Sequence, residues 1–348
     1  MTALDRARQY ARAFLARSND PVTALYAGEA AWLAGAEEIA VAIWSVGDDL
    51  DSQMLRLEND ERAPEEARAI SRMASAAFKK HFTHLHADAI GKFERDAGVG
   101  VPRIANAVWP LTHDGAVDFR TPLQRPTVFY VPDLPAAPVE PNARFPWIAE
   151  IEGASVGIRA EYELAFAANV PMTPYVPARM RGEEWRKLAG AEDWSAIHLF
   201  KDAQRMPLAD HFPKTAAALS NVDLVSIDGV PLEAFFSRLK PGAHIPPHYG
   251  LTNSRMTVHL AIDAPAECAI RVGETTYSWR DGEVVAFDDS FEHEAWNRSD
   301  RDRVVLIFEA HHPDLTPEER NAVERAYSVR QNWLKGRGRL VREFATGR

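Results

Sequence analysis

Three histidines and an arginine in the C-terminal half of the chain have the types and surroundings expected of a non-haem iron site. His248 follows two prolines, His259 lies in an alternating apolar and polar run, and His293 lies in an acidic stretch. Neutral imidazole suits Fe(II), and iron oxygenases hold the metal from one side, which leaves positions open for 2-oxoglutarate and dioxygen. Arg303 could bind the distal carboxylate of such a co-substrate through two parallel hydrogen bonds.

The usual third ligand of such an iron site is missing from the pattern. It would be an acidic residue two positions after the first histidine, where this chain has Gly250, which has no side chain to offer. Asp288 and Asp289 precede Ser290 in a predicted turn, so we interpret them as carboxylates that bond to their own backbone. The residue types alone therefore leave the ligand set open.

The elements that must position these residues are short strands. Between residues 222 and 312 there are about seven strand-like runs, separated by turn-forming residues. Three of the runs alternate between apolar and polar residues: 235–239, 256–262 and 303–309. Arg255, Thr257 and His259 share one strand face. The spacing predicts a double-stranded β-helix, which is a jelly-roll or cupin-like barrel, with polar faces that line a common cavity.

Flanking helices complete a predicted α+β fold, in which a small all-α domain precedes the barrel. The N-terminal residues are rich in Ala, Leu, Glu and Arg with helical spacing of apolar positions, which predicts about three or four helices. We divide the chain into a helical accessory domain (1–115), a 2-oxoglutarate dioxygenase jelly-roll domain (116–315) and a C-terminal helix with a basic tail (316–348). Thr316 and Glu319 form a predicted capping box, and the basic end from Lys335 is expected to be a solvated terminus. Residues 32–35 are similar to part of a tetratricopeptide hairpin, but no second copy follows at a fixed period.

A second group of histidines lies in the helical part, at His81, His84 and His86. Spacings of three and two residues do not put all of them on one helix face. No acidic or cysteine residues complete a ligand set with them. We therefore interpret this group as a solvated helix face.

The bulk composition excludes several classes of function. A formal net charge of -10 argues against a general nucleic-acid or membrane-surface binder, because both partners are polyanionic. Cys268 is the single cysteine, so no intramolecular disulfide can form, and a buried place in a strand and a reducing compartment are expected. Residues 1–17 lack a signal-peptide pattern and no long apolar run follows, which predicts a soluble, cytoplasmic protein without membrane insertion.

Roughly the C-terminal 60% of the chain resembles the aspartyl/asparaginyl β-hydroxylase family, and the resemblance is carried by motifs specific enough to make chance a poor explanation. The stretches are HIPPHYGLTNSRMTVHL, RVGETTYSW, GEVVAFDDSFEHEAWN and RDRVVLIFEAHHPDLTPEER. The resemblance implies a dioxygenase that uses Fe(II), 2-oxoglutarate and O2. It implies that His248 and His293 hold the iron without a carboxylate, so Gly250 is similar to the family pattern.

The resemblance also assigns co-substrate and substrate residues. Ser237 and Arg303 match the positions at the distal carboxylate of 2-oxoglutarate, and His259 matches one near the end that chelates iron. The family usually has a second arginine two positions after Arg255, and this chain has Thr257 there. Arg255 itself is expected to pair with an acidic group on the substrate.

The implied activity is hydroxylation of an unactivated carbon, first of all the β-carbon of an aspartyl, asparaginyl or related amino-acid residue. An acyl chain or another small molecule is an alternative substrate, as in related lipid A hydroxylases. An iron halogenase is a further alternative, because a glycine at the carboxylate position can leave room for a halide on iron. A catalytically silent scaffold or binding protein is another. The substrate would be a peptide or a small molecule, and a protein partner could bind the N-terminal helices.

Overall fold

Helices form the N-terminal part of the protein, as predicted. The computed structural model describes residues 1–17, 20–180 and 182–347. The helices that precede the barrel are α1 (Ala3–Ala16), α2 (Pro21–Leu33), α3 (Glu37–Leu50), a 3-10 turn (Met54–Asn59), α4 (Glu65–Ala97) and α5 (Pro102–Ala105). Asp20 caps α2 by accepting a hydrogen bond from the Val22 N–H (3.0 Å), and Pro21 takes the first helical position. Asn19, the residue before this cap, lies outside the described residues.

The core of this helical part forms around a tryptophan on α3. Trp44 is fully buried, and its indole N–H donates to the Leu25 carbonyl oxygen of α2 (3.0 Å). Gly28 lies one turn further along α2, directly against the indole, where an added Cβ would come within 2.2 Å of Trp44 Nε1. The close approach of α2 and α3 therefore requires a residue without a side chain at position 28.

We expect Gly28→Ala to lower the free energy of unfolding by about 1–3 kcal/mol, because the added methyl group overpacks the contact with Trp44. Urea denaturation of the full chain measures the effect. Gly336→Ala is the matched control, since nothing lies within 4 Å of an added Cβ there. That change should be neutral or stabilise by up to about 1 kcal/mol through helix propensity. Equal effects of the two substitutions would contradict the packing argument.

The three histidines on α4 do not form a solvated face, so that prediction was wrong. His86 is buried, and its Nε2 lies 2.9 Å from the Ile104 carbonyl oxygen. His81 is half-buried with its ring centroid 4.7 Å from that of Trp333, whereas His84 is exposed. A long helix has neighbours on more than one side, so positions off its main apolar face can still be covered.

The described residues form two compact units, one of residues 1–117 with the chain from 325 onward, and the other of residues 118–324. The second unit has helices α6 (Ile148–Ala167), α7 (Pro213–Leu219) and the start of α8 (Pro317–Thr346), with 3-10 turns at Asn142–Arg144 and Pro207–His211. Its strands are β1 (Val139–Glu140), β2 (Thr173–Pro174), β3 (Trp194–Lys201), β4 (Gln204–Arg205), β5 (Ser226–Ile227), β6 (Val230–Pro231), β7 (Ala234–Leu239), β8 (His244–His248), β9 (Arg255–Asp263), β10 (Cys268–Val272), β11 (Thr275–Tyr277), β12 (Val284–Phe287), β13 (His293–Asn297) and β14 (Arg303–His311).

These strands form two main antiparallel sheets with the arrangement of a jelly roll, as predicted. The larger sheet has the order β1-β12-β9-β14-β7-β3-β2 with β4 beside β3, and the smaller has the order β11-β10-β13-β8. Strands β5 and β6 pair separately. The longer strands after residue 222 match the predicted runs. Strands β5, β6 and β11 have only two or three residues, too few for an alternation to be recognised.

The larger sheet has two buried faces with different neighbours. On one face, the apolar residues Met256, Val258 and Leu260 of β9 pack in one cluster with Ile151 and Tyr162 of α6. On the other face, residues of β9 and β14 share a cluster with residues of the smaller sheet: Ala261, Val305, Ile307, Ile270 and Ala295. The period-two alternation of β9 therefore sends Arg255, Thr257 and His259 into the space between the sheets.

The predicted burial of Cys268 and the predicted capping box of α8 are both present in the structure. Cys268 is buried in β10, where its thiol donates to Asn297 Oδ1 (3.1 Å), as expected. The capping box of α8 is present, with the Glu319 N–H bonded to Thr316 Oγ1 (3.2 Å) and the Thr316 N–H bonded to the Glu319 carboxylate (3.0 Å). Among the described residues, no helix combines the length and the apolar character that crossing a bilayer requires.

The basic end of α8 is not a solvated terminus, and that prediction was wrong. Val341 and Ala345 are buried in the same cluster as Phe14 and Trp44, and Phe344 packs against it. Arg12 of α1 donates to the Ala345 carbonyl oxygen (2.8 Å). This segment contains many arginines, so its apolar residues at helical spacing are hard to recognise in the sequence. These apolar residues cover the core of the helical part.

Candidate functional site

All six residues predicted to take part in the chemistry line one cavity of about 430 Å³ between the two sheets. They come from five strands: Ser237, His248, Arg255, His259, His293 and Arg303. The larger sheet contributes Ser237, Arg255, His259 and Arg303, and the smaller sheet contributes the other two. The alternation of side chains along each strand directs these residues to the face that lines the cavity. The order of the strands in the two sheets brings those faces together.

His248 and His293 are direct partners across two neighbouring strands. They face each other in the register of β8 and β13, with ring centroids 4.1 Å apart. Each Nδ1 lies close to the carbonyl oxygen two residues earlier, at 2.8 Å from Pro246 and 3.0 Å from Phe291. A neutral ring that donates through Nδ1–H keeps the lone pair on Nε2, which is the form that binds a metal.

The electrostatics of the pair favour that neutral form. Burial lowers the pKa of His248 to about 4, and the neighbouring His293 contributes in the same direction. Burial also lowers the pKa of His293. Both imidazoles are therefore unprotonated at neutral pH and available as ligands.

Gly250 lies against a carboxylate and does not leave an empty space. A Cβ added at Gly250 would lie 2.1 Å from Cγ of Asp289 and 2.2 Å from its Oδ1. The backbones are joined as well, since the Gly250 N–H donates to the Asp289 carbonyl oxygen (2.6 Å). The space that a conventional third ligand would enter is thus filled by a side chain from the segment between β12 and β13.

Asp288 and Asp289 have different roles, although no pattern in the sequence distinguishes them. Asp288 accepts hydrogen bonds from the Ser290 N–H (2.9 Å) and from Gln124 Nε2 (2.8 Å), which confirms its predicted role in the turn. For Asp289 that prediction was wrong, because it lines the cavity, where it accepts a hydrogen bond from Thr257 Oγ1 (3.1 Å), and its Oδ1 has no hydrogen-bond partner among the described residues. Within the described part of the chain, no set of three His, Cys, Asp or Glu side chains is arranged to hold a metal.

Arg303 is a buried cation that faces the cavity, and no carboxylate among the described residues pairs with it. It is 1% exposed, and its guanidinium carbon lies 4.9 Å from the centroid of the Trp279 ring. Its Nε and Nη1 have no hydrogen-bond partner. Burial lowers the pKa of Arg303 to about 10, so the side chain stays charged at neutral pH. A buried, unpaired guanidinium is costly in free energy, and a carboxylate ligand would compensate for it.

Two polar residues lie beside this cation on the same cavity wall. Ser237 is fully buried and accepts a hydrogen bond from Trp194 Nε1 (3.0 Å). His259 has a buried Nδ1 without a partner, and burial, together with the charge of Arg303, lowers its pKa well below the usual value. The donor set at this end therefore fits a carboxylate group of a ligand.

Arg255 has a partner that the sequence analysis did not identify. Its Nη2 lies 3.1 Å from Glu309 Oε1, and both residues are almost fully buried at the cavity. Burial raises the pKa of Glu309 to about 7, against the opposing effect of Arg255. The signal was present in the alternation of 303–309, which puts Glu309 on the same strand face as Arg303.

Comparison with known proteins gives consistent matches for this unit. Residues 155–313 match the family model described as Aspartyl/Asparaginyl beta-hydroxylase. The mouse protein "Aspartyl/asparaginyl beta-hydroxylase" is 37% identical over 134 residues, which cover 38% of this chain and 18% of that protein. The "Ornithine lipid ester-linked acyl 2-hydroxylase" of Rhizobium tropici is 31% identical over 187 residues, 52% of this chain and 62% of that one. The Xenopus tropicalis "Aspartate beta-hydroxylase domain-containing protein 2" is 29% identical over 218 residues, 60% and 56% of the two chains. Each match spans less than two thirds of the relative.

Proposed function

We propose, on the premise that residues 155–313 belong to the aspartyl/asparaginyl β-hydroxylase family, that this protein is an Fe(II)- and 2-oxoglutarate-dependent hydroxylase. One observation carries the proposal. The cavity that holds two histidines, each with its Nδ1 close to a backbone carbonyl oxygen, also holds a buried arginine for which the described residues supply no anionic partner. A metal-binding pair and a carboxylate-binding cation in one cavity are what this chemistry requires.

The residues of the chain have separate tasks in this mechanism. His248 and His293 would hold the iron, while Arg303, Ser237 and His259 would bind and orient the co-substrate. When bound, iron with 2-oxoglutarate and dioxygen supplies the oxidation that inserts one oxygen atom into a C–H bond and releases succinate and carbon dioxide. The apolar side chains of the cavity wall exclude water from the reacting atoms: Phe235, Ile270, Phe287, Ala295 and Ile307.

The halogenase alternative is disfavoured by the surroundings of Gly250. A halide on iron would need the space beside this residue, and the Asp289 carboxylate occupies it. An ionised carboxylate would also repel the halide. A glycine at position 250 therefore accommodates Asp289 and does not open a binding position.

We extend the proposal to two classes of substrate and to a cytoplasmic location. Hydroxylation of an amino-acid residue agrees with the name of the mouse relative, and hydroxylation of an acyl chain agrees with that of the rhizobial relative. The apolar lining of the cavity would accept either. A cytoplasmic location remains a prediction from the single cysteine.

The proposal is tested by titrating the protein with Fe(II) and 2-oxoglutarate without oxygen and then measuring succinate release when oxygen is admitted. Iron-dependent succinate release supports it. Failure of the wild-type protein to bind iron would instead support a binding protein without catalytic activity.

We expect Arg303→Gln to weaken 2-oxoglutarate binding at least about 30-fold, because truncating one member of a buried charge pair costs about 2 kcal/mol or more. Iron binding should be unchanged, since Arg303 is not a proposed ligand. Anaerobic titration of each component measures the two affinities separately. Arg301→Gln is the matched control, because Arg301 is exposed and 3.4 Å from Asp263. Similar losses in both variants would argue against the assigned role of Arg303.

A further inference from the structure

The cavity has two ends of opposite charge, one at Arg303 and the other at Glu309. Both residues belong to strand β14, so the rise of the strand gives the distance between the two ends. Arg303 and Glu309 lie on the same face of this strand and both line the cavity. They are six positions apart along the strand, which at about 3.3 Å per residue corresponds to ~20 Å. A five-carbon dicarboxylic acid bound at Arg303 is far too short to reach Glu309. The Glu309 end is therefore the part of the cavity left for the substrate.

Carboxylates dominate this second end, which comprises Glu233, Arg255, Thr257, Asp289 and Glu309. Glu309 uses one oxygen to pair with Arg255, while its Oε2 is buried and has no hydrogen-bond partner. Asp289 also has an unpartnered oxygen, and Glu233 lines the cavity with 23% of its side chain exposed. Thr257 pairs with Glu309 in the sheet register and has no charge to offset these groups. Three carboxyl groups thus share one guanidinium, and Glu233 also lies 3.6 Å from His198 Nδ1.

Aromatic rings line the cavity together with these carboxylates. Tyr175 stacks on Trp194 with a centroid distance of 4.1 Å and on Phe235 at 5.2 Å, and all three residues line the cavity. These rings stack on one another and form an apolar wall of the cavity.

We propose that the substrate carries a protonated amino group, and that Glu309 Oε2 accepts a hydrogen bond from it. The inference rests on the proposed function, because it assigns the substrate class of the same cavity. An ammonium group supplies the missing donor and favours the charged form of Glu309, whereas a substrate carboxylate has no hydrogen to donate to Oε2. Arg255 positions Glu309 and is not the partner of a substrate acid.

The test compares two six-carbon probes with head groups of opposite charge, n-hexylammonium and hexanoate. Their binding to the protein loaded with Fe(II) and 2-oxoglutarate under nitrogen is measured by calorimetry. We expect n-hexylammonium to bind at least about tenfold more tightly than hexanoate. The reason is that its ammonium group can donate a charge-assisted hydrogen bond to the Glu309 carboxylate. Equal affinities, or a preference for hexanoate, would overturn the proposal without any variant being needed.

Variants then locate the effect. Glu309→Gln keeps the shape of the side chain and should remove at least about tenfold of the preference for n-hexylammonium. Thr257→Arg places a cation between Glu309 and Asp289 and should shift the preference toward hexanoate. Glu274→Gln, an exposed position in the turn before β11, is the control and should change neither affinity. A full preference retained in Glu309→Gln would overturn the role of this residue.

Two further measurements distinguish a lipid amine from an amino-acid amine, and distinguish failure of this inference from failure of the proposed function. The two probes are dodecylammonium, used below its critical micelle concentration, and Nα-acetyl-lysine amide, which keeps its side-chain ammonium group. Tighter binding of dodecylammonium would assign the amine to a lipid, and tighter binding of the lysine derivative would assign it to an amino acid or peptide. Either order supports an ammonium ligand. Succinate release without an ammonium preference would overturn this inference alone, whereas an ammonium preference without iron-dependent succinate release would overturn the oxygenase proposal.

Discussion

Replacing either His248 or His293 with alanine is expected to reduce iron-dependent succinate release to less than about 1% of wild type, because even residues behind a metal ligand contribute 10- to 100-fold. The two rings are partners across β8 and β13, with centroids 4.1 Å apart, and within the described residues no third ligand completes the set. A site with two protein ligands has no reserve when one is lost. Anaerobic Fe(II) titration, followed by succinate release on admission of oxygen, measures both binding and turnover.

His244→Ala is the matched control for this experiment. His244 lies on the same strand β8, but its side chain is half exposed and its Nε2 lies 2.7 Å from Glu294 Oε2. Its loss should leave iron binding within about twofold of wild type, because surface substitutions of this kind have small effects. Iron affinity that is retained in both His248→Ala and His293→Ala would show that the metal binds elsewhere.

Gly250→Asp is expected to lose succinate release at least about tenfold, although it restores an acidic residue at the position of a conventional third ligand. The added Cβ would lie 2.1 Å from Asp289 Cγ, so either the loop or Asp289 must move. Overpacking of this kind costs about 1–3 kcal/mol and displaces the backbone that carries His248. Succinate release and the midpoint of thermal unfolding would both report the change.

A double substitution separates steric conflict from ligand chemistry. In Gly250→Asp combined with Asp289→Gly, the space beside position 250 is open, so the thermal midpoint should recover most of the loss seen in Gly250→Asp. Residues in contact give such non-additive effects, whereas independent sites give additive ones. Tighter iron binding in Gly250→Asp alone, without loss of stability, would show that Asp289 does not fill this space.

The sequence by itself determined which residues could share a face. Alternation with a period of two is a local property of a strand, so the pattern at Arg255, Thr257 and His259 could be recognised without any partner strand. The same reasoning assigned the jelly roll and the helical N-terminal part. It was less reliable for the end of α8, where a high density of arginines concealed an apolar stripe that includes Val341 and Ala345.

Only the tertiary structure decided which faces meet and which charges become partners. The contact of Gly250 with Asp289 depends on where the segment before β13 crosses the end of β8, and the pairing of Arg255 with Glu309 depends on β9 lying beside β14. Both contacts join residues that are far apart in the chain, and no local pattern encodes the order of strands in a sheet. The sequence therefore identified six residues that line one cavity, whereas the pairing of Arg255 with Glu309 and the contact of Gly250 with Asp289 became visible only when the strands were placed side by side.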